Sequence, residues 1–365
     1  MPLSRFHPDN YDAILNHKAS AVRALFDGVS LPEPEVFTSP TSHFRMRTEF
    51  RLWHEEDDLF YVMFDSADKR KKVRIDQFPI ASQAINDLMP RIIEAMKNTA
   101  ILKDRCFQVE FISTLSGEML VTMIYHLPLG EEWQAAAEAL QITLGCKIIG
   151  RSRKQKVVLS DEYVTESLQA DGKSFQYLQY EGSFTQPNAL VNQKMISWAC
   201  SRAAEFGDEA GDLLELYCGN GNFTLPLASY FQKVLATEIS KVSIKALEQN
   251  CELNEISNIA VARMSAEEAS SALKGVREYR RLAHVNLDEY DLKTIFVDPP
   301  RAGLDDFTRS LAGEYQNIIY ISCNPKTLAR DLQQLSATHT VSHFAFFDQF
   351  PYTDHMECGA ILKRQ

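Results

Sequence analysis

The chain has 365 residues, 45% of them hydrophobic and 24% charged, with a formal net charge of −11 at pH 7. That length suits two domains with a core each, in an ordinary soluble globular protein, and the acidic balance argues against a protein that coats nucleic acid unspecifically. No apolar run is long enough to span a bilayer, and the opening MPLSRFHPDN lacks the apolar core of a signal peptide, so the expected location is the cytoplasm. Seven cysteines, at 106, 146, 200, 218, 251, 323 and 358, are scattered without a C-x-x-C pair, so neither a disulfide framework nor a zinc site is expected.

Residues 10–26 carry apolar side chains at helical spacing. In FRMRTEFRLW, residues 44–53, Phe44, Met46, Thr48, Phe50 and Leu52 alternate with Arg45, Arg47, Glu49 and Arg51, which predicts a strand with a basic stripe. That stripe suits either a solvated face or an RNA phosphate contact. Residues 59–64 continue as a paired strand, and KRKKVR at 69–74 reads as a basic turn. A helix over 83–96, a hairpin of 107–114 with 119–126, a helix over 131–144 and the basic RSRKQK at 151–156 complete an α+β domain. The domain boundary is expected near residue 180, giving domains 1–180 and 181–365.

After a helix marked by Val191, Met195, Trp198 and Ala199 comes DLLELYCGNGNFTLPLA, residues 212–228: an apolar strand, a turn at Gly219 and Gly221, and a second helix. Glycine at such a turn lets a ligand approach the strand end and the helix N-terminus. The dinucleotide pattern G-x-G-x-x-G is incomplete because Thr224 stands at its third glycine, and no P-loop G-K-[ST] occurs. The next strand, 233–237, ends in Glu238, an acid suited to a ribose diol. This combination reads as a site for S-adenosylmethionine (SAM) rather than NAD. Strands follow at 259–264, at 294–297 with Asp298-Pro-Pro-Arg301 at its end, and at 318–322 with Cys323 closing it. Residues 341–347 and 359–363 form a terminal strand pair around a loop over 348–358. Alternating strands and helices of this kind imply a doubly wound α/β sheet.

Four stretches, SFTQPN (183–188), LLELYCGNGNF (213–223), VDPPR (297–301) and YISCNP (320–325), together with the tail DQFPYTDHMECGAIL, resemble the RNA 5-methyluridine methyltransferase family. The resemblance covers the whole length. It implies a class I SAM-dependent methyltransferase (Rossmann-like) domain preceded by an α+β RNA-binding domain, SAM as cofactor, no metal, and no membrane partner. The substrate it implies is the T-loop uridine in the T-arm of tRNA, with tmRNA or rRNA as alternatives, and the free protein would be a monomer. Ribosomal RNA members commonly carry an iron-sulfur cluster; here Cys106 is the one cysteine in the first 145 residues, too few to build it.

By the same resemblance Gln186, Tyr217, Asn222, Glu238 and Asp298 line the SAM site, Cys323 is the nucleophile and Glu357 the base. Residue chemistry alone points to Glu238, Asp298 and Cys323, and among the tail's Asp354, His355 and Glu357 would favour His355 for its pKa near neutrality. Asp298 is also placed to hold the uracil edge, and Arg301 to lower the Cys323 pKa or meet a phosphate. Cys218 and Cys358 read as packing residues. Two rivals remain open: methylation of an exocyclic amine, for which VDPPR resembles the D-P-P-Y loop, and a SAM-fold RNA chaperone.

Overall fold

The computed structural model describes residues 3–56, 58–64 and 71–365. They fall into two compact units: Met1–Pro8, Pro40–Ser167 and Leu178–Ala189 in the first, and Asp9–Ser39, Leu168–Tyr177 and Leu190–Gln365 in the second. This division departs from one cut near residue 180, because residues 9–39 group with the C-terminal half. The physical cause is a short strand, Glu35–Phe37, that pairs in parallel with His339–Phe347, and a helix, Tyr11–Arg23, whose buried Lys18 meets Asp348.

Among the described residues, the sheet of the second unit has eight strands. Their order is Glu35–Phe37, His339–Phe347, Glu357–Arg364, Asn317–Ser322, Leu292–Val297, Asp212–Leu216, Val234–Glu238 and Ile259–Arg263. Neighbours run parallel except Glu357–Arg364, which is antiparallel to both strands beside it. Asp212–Leu216 and Asn317–Ser322 are buried at every position. Strands covered on both faces have no polar alternation, which is why these stretches read as apolar runs. The chain winds outward from Asp212–Leu216 to Ile259–Arg263, then returns to Leu292–Val297 on the other side. That reversal is a topological switch point, and the crevice lies at the carboxyl ends of the strands. Residues 217–222, Asp298 and Cys323 follow strand ends on this edge, and Glu238 is the last residue of its strand. The helix expected after the glycine turn is short, Thr224–Leu227.

In the first unit, the described strands are ordered Lys72–Ile75, Asp58–Phe64, Arg47–Glu55, Cys106–Ser113, Met119–Tyr125, Lys147–Ser152 and Gln155–Val158. Pairing is antiparallel except between Met119–Tyr125 and Lys147–Ser152, which the helix Glu131–Leu144 joins as a crossover. Ser82 caps the helix Gln83–Asn98 through the Ile85 N–H, and this helix buries Ile85, Leu88, Met89, Ile92 and Met96. The expected alternation holds at Thr48, Phe50 and Leu52, all buried.

The basic stripe is corrected by the structure. Arg45 precedes the strand and its Nε donates to the Arg47 carbonyl at 2.8 Å, while Arg47 donates to the Ser183 carbonyl. Arg51 is exposed and lies over the Phe107 ring, 5.3 Å from its centroid. Of the expected basic turn, Lys69 and Arg70 lie outside the described residues, and Lys72–Ile75 is an edge strand. Among the described residues, no helix is long and apolar enough to cross a membrane.

Candidate active site

Cys323 follows the strand Asn317–Ser322 directly and precedes Asn324, which caps the helix Pro325–Leu335 by accepting from the Lys326 N–H at 3.2 Å. The proline at the first helical position has no N–H to leave unsatisfied. A thiol just ahead of an eleven-residue helix sits near the positive end of its dipole, which favours the thiolate. In the antiparallel pairing Ser322 stands opposite Cys358. The next position on each strand is Cys323 and Glu357, so register alone brings thiol and carboxyl to the same place.

Four groups feel one another here. Burial, then the charges of Glu357 and Asp298, push the Cys323 thiol up to about 11, and Arg301 pulls it down by less. Glu357 is 3% exposed. Its carboxyl is held well above the usual carboxylate range by burial first and by Asp298 second, with Arg301 opposing. Burial alone pushes Asp298 up to about 7. Arg301 therefore acts on the thiol in the expected direction, but burial and two carboxyls outweigh it. Its own contact is with His355, whose ring nitrogens lie 3.0 and 3.1 Å from Arg301 Nη2. His355 is exposed, and burial, then Arg301, lower its pKa, which favours the neutral imidazole beside the guanidinium. Cys218 and Cys358 are buried, and both thiols are held well above their ordinary value by that burial.

The glycine turn is open where a ligand must approach. Tyr217 leaves the strand at φ 63°, a left-handed value uncommon for a bulky residue, and Gly219 and Gly221 follow at 56° and 91°. A Cβ on Gly219 would meet no atom within 4 Å, whereas one on Gly221 would lie 2.5 Å from Leu247 Cδ1. Gly219 keeps the backbone approachable; Gly221 makes room for Leu247 of the helix Lys241–Leu253. Glu238 accepts from the Gly219 N–H at 3.1 Å and from the Ile239 and Ser240 N–H groups at 2.8 Å. These bonds fix a half-buried carboxylate at the end of the second strand. The Asn222 amide exchanges hydrogen bonds of 2.7 and 2.9 Å with Asn192, and its carbonyl accepts from the Tyr177 hydroxyl at 3.1 Å. Asn222 thus holds the turn. A cleft of about 690 Å³ runs past Tyr217, Ser265, Glu267, Pro300 and Asp305, large enough for a nucleoside, although Glu238 and Cys323 do not line it. An approachable turn with a carboxylate at the next strand end fits SAM. Gln186 lies in the first unit, within Leu178–Ala189, whereas Tyr217, Asn222, Glu238, Asp298, Cys323 and Glu357 lie in the second.

Sequence reasoning did not find what holds the Asp298-Pro-Pro-Arg301 loop. Asp331, 0% exposed, accepts from the Leu304 N–H at 3.0 Å, the Tyr320 hydroxyl at 2.7 Å, and Arg309 and Arg330 at 2.9 Å each. Asn324 donates to the Arg301 carbonyl at 2.8 Å. The helix that starts beside Cys323 therefore also fixes the loop that bears Asp298. Asp331→Ala leaves the Arg309 guanidinium, 9% exposed, without its buried partner. A loss of about 3–5 kcal/mol in urea unfolding is the expected result.

Residues 10–365 match the family model for tRNA (uracil-5-)-methyltransferase. The chain belongs to that family. The tRNA/tmRNA (uracil-C(5))-methyltransferase of Neisseria meningitidis serogroup C is 54% identical over 361 residues, covering 98% of each chain. That of Saccharophagus degradans is 51% identical over 364 residues, covering 100% of this chain and 99% of its own. Among solved structures, the Pyrococcus abyssi tRNA (uracil-54, C5)-methyltransferase in complex with S-adenosyl-L-homocysteine superposes with a TM-score of 0.71 at 23% identity, over 97% of this chain and 83% of that one. That likeness shows the fold, so this member of the tRNA (uracil-5-)-methyltransferase family has the Rossmann-like fold of a SAM-dependent methyltransferase.

Proposed function

We propose that the protein methylates C5 of the T-loop uridine of tRNA, and of a uridine in tmRNA, through a covalent intermediate on Cys323. The substrates accord with the tRNA/tmRNA names of relatives at about half identity. The observation that carries the mechanism is the grouping of Cys323, Glu357, Asp298 and Arg301 at one sheet edge. C5 of uracil is a poor nucleophile. A Cys323 thiolate adding to C6 places the electron pair on an enolate with carbanion character at C5. SAM, when bound, supplies an electrophilic methyl group at its sulfonium. Glu357 then accepts the remaining C5 proton, the C6–S bond breaks with its pair returning to sulfur, and the aromatic uracil leaves. A buried carboxyl with a raised pKa is a stronger base, once ionised, than an exposed one. Glu238 and Asp298 are assigned to the cofactor, together with Tyr217 and Asn222 of the 217–222 turn.

A T-loop uridine is stacked, and the enzyme must extract it before the thiolate reaches C6. We assign the RNA backbone contact to the first unit, where Arg51 lies over Phe107, Lys72 over Trp53 and Arg74 over Phe60. Reversing the charge of Arg51 and Lys72 should weaken RNA binding and reduce the slope of log affinity against log salt by about two. An unchanged slope would remove the assignment. The function itself is tested by incubation with unmodified tRNA and methyl-labelled SAM, followed by nuclease mapping. Label in 5-methyluridine at the T loop supports the proposal; label on an exocyclic amine would turn it toward amine methylation.

A further inference from the structure

The nine residues 348–356 that lead into Glu357 have no regular secondary structure. A connection of that length between antiparallel strands holds one conformation only if something ties it. The tie comes from the other end of the chain. Lys18, on the helix Tyr11–Arg23, is 6% exposed, and its ammonium donates to the Asp348 carboxylate and to the carbonyls of Phe350 at 3.1 Å and His355 at 3.0 Å. An ammonium has three N–H groups, and all three are used.

The acceptors are not evenly spread along the loop. Asp348 is its first residue, and His355 stands two before Glu357. One buried atom thus gathers both feet of the segment that delivers the carboxyl. The second Asp348 oxygen accepts from the Tyr11 hydroxyl at 2.8 Å, which itself accepts from the Ser39 N–H at 2.7 Å. Tyr11 also packs edge-on against Tyr352, with ring centroids 6.0 Å apart. Within the loop, the Thr353 hydroxyl donates to the Phe350 carbonyl at 2.7 Å and accepts from the His355 N–H at 3.2 Å. A buried ion pair adds little net stability over apolar side chains of the same shape, so geometry rather than stability is its best-supported use here.

We propose that Lys18 is a positioning residue for Glu357, holding residues 348–356 so that the carboxyl meets C5 of the uracil. This rests on Glu357 being the base in the reaction above. A group displaced by about 1 Å loses roughly 100-fold in rate. Lys18 acts only on the last proton transfer, so its loss should stall the enzyme after methyl transfer and leave cofactor binding alone.

The test compares wild type, Lys18→Met and Glu357→Gln as full chains with unmodified tRNA and labelled SAM, following first-turnover methyl transfer and release of RNA from the covalent adduct on denaturing gels. Lys18→Met should transfer methyl in the first turnover, keep SAM affinity within about twofold, and resolve its adduct roughly 10- to 100-fold more slowly than wild type. Resolution at the wild-type rate would overturn the proposal. Should Lys18→Met fail to fold, Lys18→Met/Asp348→Leu, which removes both buried charges, takes its place with the same expectation. If Glu357→Gln traps an adduct and the Lys18 variant does not, Lys18 is not a positioning residue. If Glu357→Gln itself releases RNA normally, the base assignment fails and the role of Lys18 falls with it.

Discussion

Cys323→Ala should lower 5-methyluridine formation by at least about 10⁴-fold while leaving SAM affinity within about twofold. The size of the effect follows from the substrate: without addition at C6 there is no carbanion at C5 to take the methyl group. No other thiol can substitute. Cys218 is buried within the glycine turn and Cys358 within the sheet, and burial keeps both thiols well above their ordinary pKa. Cys323 is the partly exposed thiol at the carboxyl edge. Methyl incorporation into tRNA and calorimetric SAM binding check the two halves, and a variant that still methylates uracil would rule out the covalent route.

Glu357→Gln should reduce turnover by about 10²–10⁴-fold and accumulate a methylated protein–RNA adduct, seen as a slow band on denaturing gels. Glutamine keeps the shape and burial but cannot accept the C5 proton. The same substitution has a signature in stability. Burial, and Asp298 second, raise the pKa of the Glu357 carboxyl in the folded chain, whereas in the unfolded chain it ionises near the ordinary value of about 4.3. Folding then takes up a proton, so the stability contributed is complete below about pH 4.3 and is lost as pH rises through the raised value. Glutamine removes that loss, so the melting temperature of the variant should gain on that of wild type as pH rises above about 4.3.

The parts of the site legible in the sequence were those set by local order. Glu238 ends a strand and Asp298 and Cys323 each directly follow one, and a strand followed by a turn signal is readable from a dozen residues. Glu357 and Gln186 were reachable only through family resemblance, because Glu357 owes its place to antiparallel register with a strand about forty residues earlier. Lys18 and Asp331 were not found at all. Lys18 reads as an ordinary polar position on an amphipathic helix, and its partner lies 330 residues away. The strand Glu35–Phe37 is three residues long between prolines and carries no alternation to detect, so nothing in the sequence signals that residues 9–39 group with the C-terminal half. In the basic stripe, period-two alternation was sound for the strand but misled for Arg45 and Arg47, whose guanidinium groups bond to backbone carbonyls.

The central claim is that Cys323 bonds to uracil C6. It is tested most directly with a T-arm RNA carrying 5-fluorouridine at the target, because fluorine at C5 leaves Glu357 no proton to remove and the adduct cannot resolve. Wild-type protein, this RNA and SAM should give a covalent species whose digested peptide carries a methylated fluorouracil nucleotide on Cys323. Methylation of ordinary tRNA with no adduct on the fluorinated RNA, or an adduct on another cysteine, would contradict the account.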